Sequence, residues 1–538
     1  MTMSVARASI VMIGALVASR VLGWLRLSVI GATFGASPQL DAFLAAFKIP
    51  NALFELLVAG ALASAFIPVF AGYLAKEREK EAWHVASSVM NVLILALVGL
   101  SAAMWLAAPW LVPTIVAPGF KDDPAQLEEC IRLTRVMLLS PIFMGLSALV
   151  TGVLQSYRQF LAGAVAPLVY NGVQILFALF LSPFLGIDAL AYGVVAGAAM
   201  MFLVQIPELT FRRTRYELSL DLDHRGVREV FLLAGPRTFS LAAVQIVFFV
   251  DTYLASFMPT GSLTALNYAF QLMLLPLGVY SIAISAAVFP TLSHYASLGQ
   301  AARMRDALQQ AIRWILFLTL PTAIIMVVLR RPIVNLLFQY GAFGPAAREL
   351  TQAAFLFYAL GLAGHALVQI LARAYYASRD TSTPVALTLV SIGANVILSV
   401  TLAPVLGING LALANSIATL AEAALLLAFL APRARLRLVG LGYATLKQVT
   451  AALFMGVGMF LFIRVTNTPF DLVCPAVTSA GCVEPSKPVL FIQTLIATAF
   501  GGALYAAAAY LMRIAELQEV LAVVRTRFRR GPVVAERA

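Results

Sequence analysis

Arg20 and Arg26 stand inside the first membrane-length apolar run of this 538-residue chain, and Asp41, Lys48 and Glu55 follow at seven-residue intervals in the second. A guanidinium presents a planar fork that takes phosphate oxygens in pairs, and a lysine ammonium adds a point charge. The chemistry on offer is therefore capture of an anion, above all a diphosphate. Each charge at mid-bilayer costs roughly 2.5 to 3.5 kcal/mol on insertion scales, so three cations cost about 8 to 10 kcal/mol unless they face water or partners. A seven-residue step leaves successive residues within about 20° of one another on a helix, so Asp41, Lys48 and Glu55 are expected on one stripe. Pro50 interrupts the ladder inside that stripe, and a water-lined cavity would satisfy the carbonyl it frees. Alternating sign along the stripe also permits internal salt bridges between the first two spans. The surplus of Arg20, Arg26 and Lys48 over Asp41 favours an anionic visitor instead. Arg20 and Arg26 lie about 120° apart on a straight helix. Gly23 between them allows a bend, and the Arg20 stem is long enough to snorkel toward headgroups.

Weaker candidates lie further along. Asp251 in the seventh span has no cationic neighbour in sequence, and Ser391 and Asn395, one turn apart in the eleventh, could join it around a small cation; a hydrogen-bonded or protonated aspartate is the competing reading. Gln155, Gln174, Gln205, Gln245 and Gln271 suit hydrogen bonding between packed helices, and Gln271 is in addition a candidate cavity residue; His365 and Glu422 are candidates for a proton relay, with the same bonding across helices as the competing reading. The three cysteines form no metal signature and no nucleophile constellation. Cys130 reads as inert. Cys474 and Cys482 fall in the longest outer connection, where an oxidising compartment would permit a disulfide; two unpaired thiols are the alternative.

The elements that must position these residues are membrane spans. With 61% hydrophobic and only 12% charged residues, the chain is too apolar for a soluble globular protein. About fourteen apolar stretches are long enough to cross a hydrocarbon core, from 9–34 and 39–74 at one end to 442–465 and 488–512 at the other. Arg7 before the first run superficially resembles a secretory signal, but that run is long, holds two arginines and leads directly into another span. The net charge of +12 is dispersed over short connections rather than gathered in an aromatic-interleaved patch, which argues against nucleic acid. Lys76, Arg78 and Lys80, then Arg158, Arg212, Arg213, Arg303, Arg305, Arg379, Arg433 and the tail arginines all fall on one side, so the positive-inside rule puts both termini in the cytoplasm. Arg330, Arg331 and Arg348 are exceptions around the apolar stretch PIVNLLFQYGAF, which is expected to dip into the interface.

An internal repeat organises the spans at an offset of about 221 to 223 residues. PFLGIDALAYG at Pro183 to Gly193 aligns with PVLGINGLALA at Pro404 to Ala414, Pro68 with Pro290, Arg158 with Arg379 and Gly172 with Gly393. Each repeat holds six spans, an even number, so the halves share one orientation and are related by an axis along the membrane normal, with substrate expected between them near the midplane. The fold class is thus an all-α polytopic membrane protein: 1–215 a first lobe of helices 1–6, 216–437 a second lobe of helices 7–12, 438–515 two further helices, and 516–538 a basic cytoplasmic tail.

SRVLGWLR at Ser19 to Arg26, DAFLAAFKIPN at Asp41 to Asn51, AFIPVF at Ala65 to Phe70, APGF at Ala117 to Phe120, LFQYGAF at Leu337 to Phe343 and YYASRDTSTP at Tyr375 to Pro384 resemble the MurJ (MviN) family of lipid II flippases, over nearly the whole chain. That family sits in the multidrug/oligosaccharidyl-lipid/polysaccharide exporter superfamily. The resemblance implies two six-helix lobes in a V shape, and two extra helices forming a groove for a lipid tail. It also implies movement of undecaprenyl-diphosphate-linked peptidoglycan precursor from the inner to the outer leaflet of the bacterial inner membrane. Arg20, Arg26, Asp41 and Lys48 match residues lining the family's cationic cavity, with Glu55 a further cavity candidate. The chain departs from the pattern at Leu27, Phe54, Ala59, Phe270, Gln271 and Leu274, where charges are expected, so the second lobe lacks its usual cavity arginine and the grip leans on the first.

The chain is expected to be a flippase for lipid II or a neighbouring polyprenyl-diphosphate glycan, working by alternating access with membrane lipids and cell-wall synthesis proteins as partners. No cofactor is expected; coupling to membrane potential, sodium or protons is. A cation-coupled drug exporter would prefer an acidic cavity. A polyprenyl-dependent glycosyltransferase would need a carboxylate base or metal site near an aqueous face. A purely structural scaffold has no need for five embedded charges.

Overall fold

The computed structural model describes residues 5–59, 62–210, 216–466 and 486–529. Among these every regular element is helical. That follows from the composition, because within hydrocarbon a helix satisfies its own backbone N–H and C=O groups. The Cys474 and Cys482 pairing lies outside the described residues; Cys130 is a buried, unbridged thiol.

In chain order the helices are α1 (Val5–Phe34), α2 (Pro38–Ala46), α3 (Lys48–Phe54), α4 (Leu62–Ala75), α5 (Glu79–Leu111), α6 (Pro124–Met137), α7 (Ser140–Ser156), α8 (Leu161–Leu176), α9 (Ser182–Leu185), α10 (Asp188–Leu203) and α11 (Ile206–Thr210). They continue with α12 (Arg225–Ala255), α13 (Ser262–Ser297), α14 (Ala301–Val328), α15 (Arg330–Phe338), α16 (Pro345–Ala377), α17 (Ser382–Leu406), α18 (Ile408–Arg433), α19 (Leu438–Val465), α20 (Lys487–Leu511) and α21 (Ala515–Arg529). Among the described residues twelve helical stretches are long and apolar enough to cross a membrane, and Ala65–Ala75 and Leu241–Ala255 are shorter apolar helices. Those two lie in the second and seventh spans expected from sequence. The second is short because it is broken. Pro50 has no N–H to give the carbonyl of Ala46, and α2 ends at Ala46. A π-helical turn, Glu55–Ala59, then separates α3 from α4. The single stripe expected for Asp41, Lys48 and Glu55 is therefore divided among α2, α3 and the π turn.

The chain forms two compact units. One runs to Thr264 and takes in Phe338–Ala347; the other comprises Ala265–Leu337 and the chain from Arg348 onward. In the first, α1 lies on α8, α10 packs between α7 and α8, and α12 lies on α4. In the second, α17 pairs with α18, and α14, α19 and α20 enclose a core of Phe317, Met455, Met459, Ala497 and Tyr505. The Tyr505 hydroxyl donates to the Phe317 carbonyl at 3.0 Å, which ties α20 to α14.

The backbone carries the repeat as well as the sequence does. Left-handed conformations occur at Arg158 and Arg379 (φ 62° and 60°), 221 residues apart, and at Glu77 and Gly299 (φ 59° and 65°), 222 apart. Gly186 and Gly407, again 221 apart, share φ and ψ to within a degree, at 57°, −138° and 58°, −138°. Two halves that turn their chain in the same rare way at matching points are two copies of one design.

Candidate functional site

Arg26 is the anchored cation. Its Nη1 donates to Gln174 Oε1 at 3.3 Å, and its guanidinium carbon stands 6.0 Å from the centre of the Tyr170 ring. Both partners belong to α8, the helix on which α1 packs. The guanidinium is thus held from one side. Its Nε is buried without a hydrogen-bond partner among the described residues. A buried, unspent donor on a cation costs about 1 to 3 kcal/mol, and an oxyanion or a water would relieve it. Arg20, one and a half turns earlier, is exposed and makes no ion pair among the described residues.

Lys48 opens α3 with its ammonium 5.3 Å from the centre of the Phe248 ring, a cation–π arrangement. Asp251, three residues along α12, acts on it electrostatically. The neighbour that Asp251 lacks in sequence is therefore Lys48. Ser391 and Asn395 belong to the other compact unit. There the Ser391 hydroxyl donates to the Ala418 carbonyl at 3.1 Å, and Asn395 Oδ1 is buried without a partner among the described residues.

Asp41 is only 3% exposed. Its Oδ2 accepts from the Gly261 N–H at 2.6 Å, and its Oδ1 accepts from both the N–H and the hydroxyl of Thr264, at 2.8 and 2.6 Å. It serves as an external cap on the first turn of α13, where four N–H groups have no partner within the helix. Glu55 begins the π turn, half-buried, with no hydrogen bond or ion pair among the described residues.

In the second unit, Gln271 is half-buried on α13. Next to it Phe270 meets Tyr358 edge-on, with ring centres 5.4 Å apart, so this position is filled by packing rather than by charge. The packing roles expected of other embedded polar residues are seen directly. Gln205 Nε2 donates to Ser147 Oγ at 2.6 Å, His365 Nε2 lies 3.0 Å from Asn415 Oδ1, and the Thr388 hydroxyl donates to Glu422 Oε1 at 2.6 Å. Among the described residues no group of three His, Cys, Asp or Glu side chains could hold a metal ion.

The family profile described as "Lipid II flippase MurJ" matches residues 30–480. The chain belongs to this family. A protein of Rhizobium meliloti (strain 1021) named "Probable lipid II flippase MurJ" is 30% identical over 508 residues, covering 91% of this chain and 93% of its own. The "Lipid II flippase MurJ" of Burkholderia cenocepacia is 31% identical over 417 residues, 76% of this chain and 81% of its own. A solved structure titled "Lipid II flippase MurJ, inward closed conformation" shares the fold, with a TM-score of 0.76 at 23% identity over 94% of this chain and 99% of that one. An inward-facing multidrug transporter of the MATE family and MOP superfamily follows at a TM-score of 0.64 and 16% identity, over 80% of this chain and 99% of its own. Membership makes the protein a multi-pass membrane transporter rather than an enzyme.

The cations are legible in the sequence, but what holds them is not. Gln174 gave a signal, as a glutamine inside a span, yet nothing in its spacing points to Arg26. Tyr170 and Phe248 gave none, because an aromatic residue inside an apolar run looks like packing.

Proposed function

We propose that this protein moves lipid II, the undecaprenyl-diphosphate-linked peptidoglycan precursor, from the inner to the outer leaflet of the bacterial inner membrane. Membership of the flippase family over residues 30–480 carries this reading. Arg20, Arg26 and Lys48 supply the grip on the diphosphate, and the unspent Nε of Arg26 supports it. Asp41 contributes by holding the start of α13 in place, and Asp251 by balancing Lys48 while no substrate is bound. The cycle is alternating access with both termini cytoplasmic, and the prenyl tail stays in lipid along the helices of 438–515. Moving net charge through the membrane field couples it to the membrane potential, at about 2.3 kcal/mol per charge per 100 mV, and cell-wall synthesis proteins take up the product. Sodium or proton coupling through Asp251 is a subordinate part of the reading.

In cells whose other lipid II flippases are removed, depletion of this protein is expected to strip the outer leaflet of lipid II. Unchanged outer-leaflet lipid II would reject the lipid II assignment. Accumulation of a different polyprenyl-diphosphate glycan on the inner leaflet would favour the neighbouring substrate, which the uncharged Phe54, Ala59, Phe270 and Gln271 leave room for.

A further inference from the structure

A cavity of the first unit is walled by side chains other than the embedded cations. It encloses about 870 Å³ between α5, α6 and α10, and its walls include Trp105, Glu128, Arg132, Arg135, Leu139 and Tyr192. All three helices belong to stretches long and apolar enough to cross a membrane, and Trp105, Leu139 and Tyr192 are exposed. The cavity therefore opens on lipid, flanked by the two aromatic types that settle at headgroup depth.

Its charges divide into a spent set and an unspent pair. Arg132 bridges Asp188 at 2.8 Å and Glu129 at 3.5 Å, and those three groups satisfy one another. Arg135 is fixed without an acid: its Nε donates to the Trp105 carbonyl at 3.2 Å and its guanidinium stacks 4.5 Å from the centre of the Trp105 ring. Among the described residues neither Arg135 nor Glu128 has an ion pair. They stand seven residues apart on α6, hence on nearly the same face and about 10.5 Å apart along the axis.

The order along the axis identifies the ligand. Exposed Lys121 and Asp122 precede α6, and Asp123 caps its first turn by accepting from Ala125 and Gln126 at 3.1 and 3.2 Å. That end of α6 faces water. Glu128 follows, then Arg135, then the apolar Val136 and exposed Leu139. From water inward the wall thus offers an anion, a cation and an apolar surface. A phospholipid with an ethanolamine headgroup offers an ammonium, a phosphate and acyl chains in that sequence. We propose that this cavity is a binding site for an aminophospholipid of the surrounding leaflet, its phosphate on Arg135 and its ammonium on Glu128. The fork of Arg135 is pre-set by Trp105 to take two phosphate oxygens, and only a headgroup of both signs uses both residues. A glycerol headgroup would put neutral hydroxyls where the ammonium meets Glu128, so that carboxylate would have no opposite charge to pair with.

The test uses the full-length protein in nanodiscs holding equal amounts of ethanolamine and glycerol phospholipids, with retained lipid counted by native mass spectrometry. Wild type is expected to retain the ethanolamine lipid about tenfold over the glycerol lipid, the size of one charge-assisted contact. Glu128→Gln is expected to lower ethanolamine-lipid retention to the glycerol-lipid level. Arg135→Gln is expected to lower both. Equal retention of the two lipids by wild type, a preference for the glycerol lipid, or ethanolamine-lipid retention unchanged in Glu128→Gln would each overturn the proposal. Glu128 is exposed and bonds to nothing among the described residues, so its variant keeps the test valid even where Arg135→Gln folds poorly.

Discussion

The carboxylate of Asp41 and the first turn of α13 meet through Thr264, whose N–H and hydroxyl both donate to Asp41 Oδ1, at 2.8 and 2.6 Å. The two residues are 223 positions apart in the chain. An embedded acid that looks from sequence like part of a substrate cavity thus spends its oxygens on the backbone that leads from one compact unit into the other.

Asp41→Ala is therefore expected to act on stability first. It strands three donors in a site that is 3% exposed, for a loss of about 2 to 4 kcal/mol. Thermal unfolding of the purified variant in detergent checks this. A variant with wild-type unfolding that no longer binds lipid II would make Asp41 a ligand residue instead of a cap.

Lys48 and Asp251 are expected to be coupled. Asp251→Asn alone leaves the half-buried ammonium of Lys48 without its counter-charge, so the double variant with Lys48→Ala should be less destabilised than the two single effects predict, by about 0.5 kcal/mol or more. A double-mutant cycle in unfolding free energy measures the coupling. Strict additivity would separate the two residues, and flipping that responds to sodium only while Asp251 is intact would return it to the role of an ion ligand.

Gly341 is expected to tolerate no side chain. It sits at φ 53°, and a Cβ there would come within 2.2 Å of the Ala32 carbonyl oxygen, the same oxygen that accepts from the Ala342 N–H at 2.7 Å. Gly341→Ala should cost more than about 1 kcal/mol and loosen the end of α1. Hydrogen exchange at Gly31 to Gly35 would report it, and protection equal to wild type would contradict it.

Asp380, in the connection between α16 and α17, offers a pH test. Its Oδ2 accepts from the Thr383 hydroxyl at 2.7 Å, its Oδ1 accepts from the Thr383 N–H at 3.0 Å, and Arg433 donates to Oδ2 at 2.7 Å. Those bonds, Thr383 first, push its pKa down to about 2. A lowered folded-state pKa means the stabilisation is fully present above the ordinary carboxylate range and is lost as pH falls through about 2. Asp380→Asn should therefore be less stable than wild type by a constant margin from pH 5 to 8, a margin that closes under strong acid. A margin that widens on acidification would contradict the assignment.

Much of the fold was legible in the chain, for a physical reason. Hydrocarbon forces helices, span length follows bilayer thickness, and a repeated sequence repeats its backbone, down to Arg158 and Arg379 in the same left-handed turn. Arg20, Arg26 and Lys48 were legible because charge inside an apolar run is costly enough to require a reason. Their partners were not. Spacing along one helix placed Asp41, Lys48 and Glu55 on a common stripe, whereas Pro50 and the π turn break that helix, and the groups that answer Asp41, Lys48 and Arg26 lie on α13, α12 and α8. The stretch LFQYGAF shows the same limit. Nothing in its composition says that Phe338–Ala347 belongs to the first unit, where the Ala342 N–H donates to the Ala32 carbonyl near the end of α1. Contacts between distant parts of the chain leave no periodic trace in sequence.

Lipid II binding to full-length Arg26→Ala, read by native mass spectrometry beside a check of unfolding temperature, decides whether Arg26 grips the diphosphate of lipid II. The predicted result is a folded protein whose lipid II binding falls by about tenfold or more, with outer-leaflet lipid II lost in cells that depend on it. A folded Arg26→Ala protein that binds and flips lipid II as wild type does would show that Arg26 is no part of the diphosphate grip.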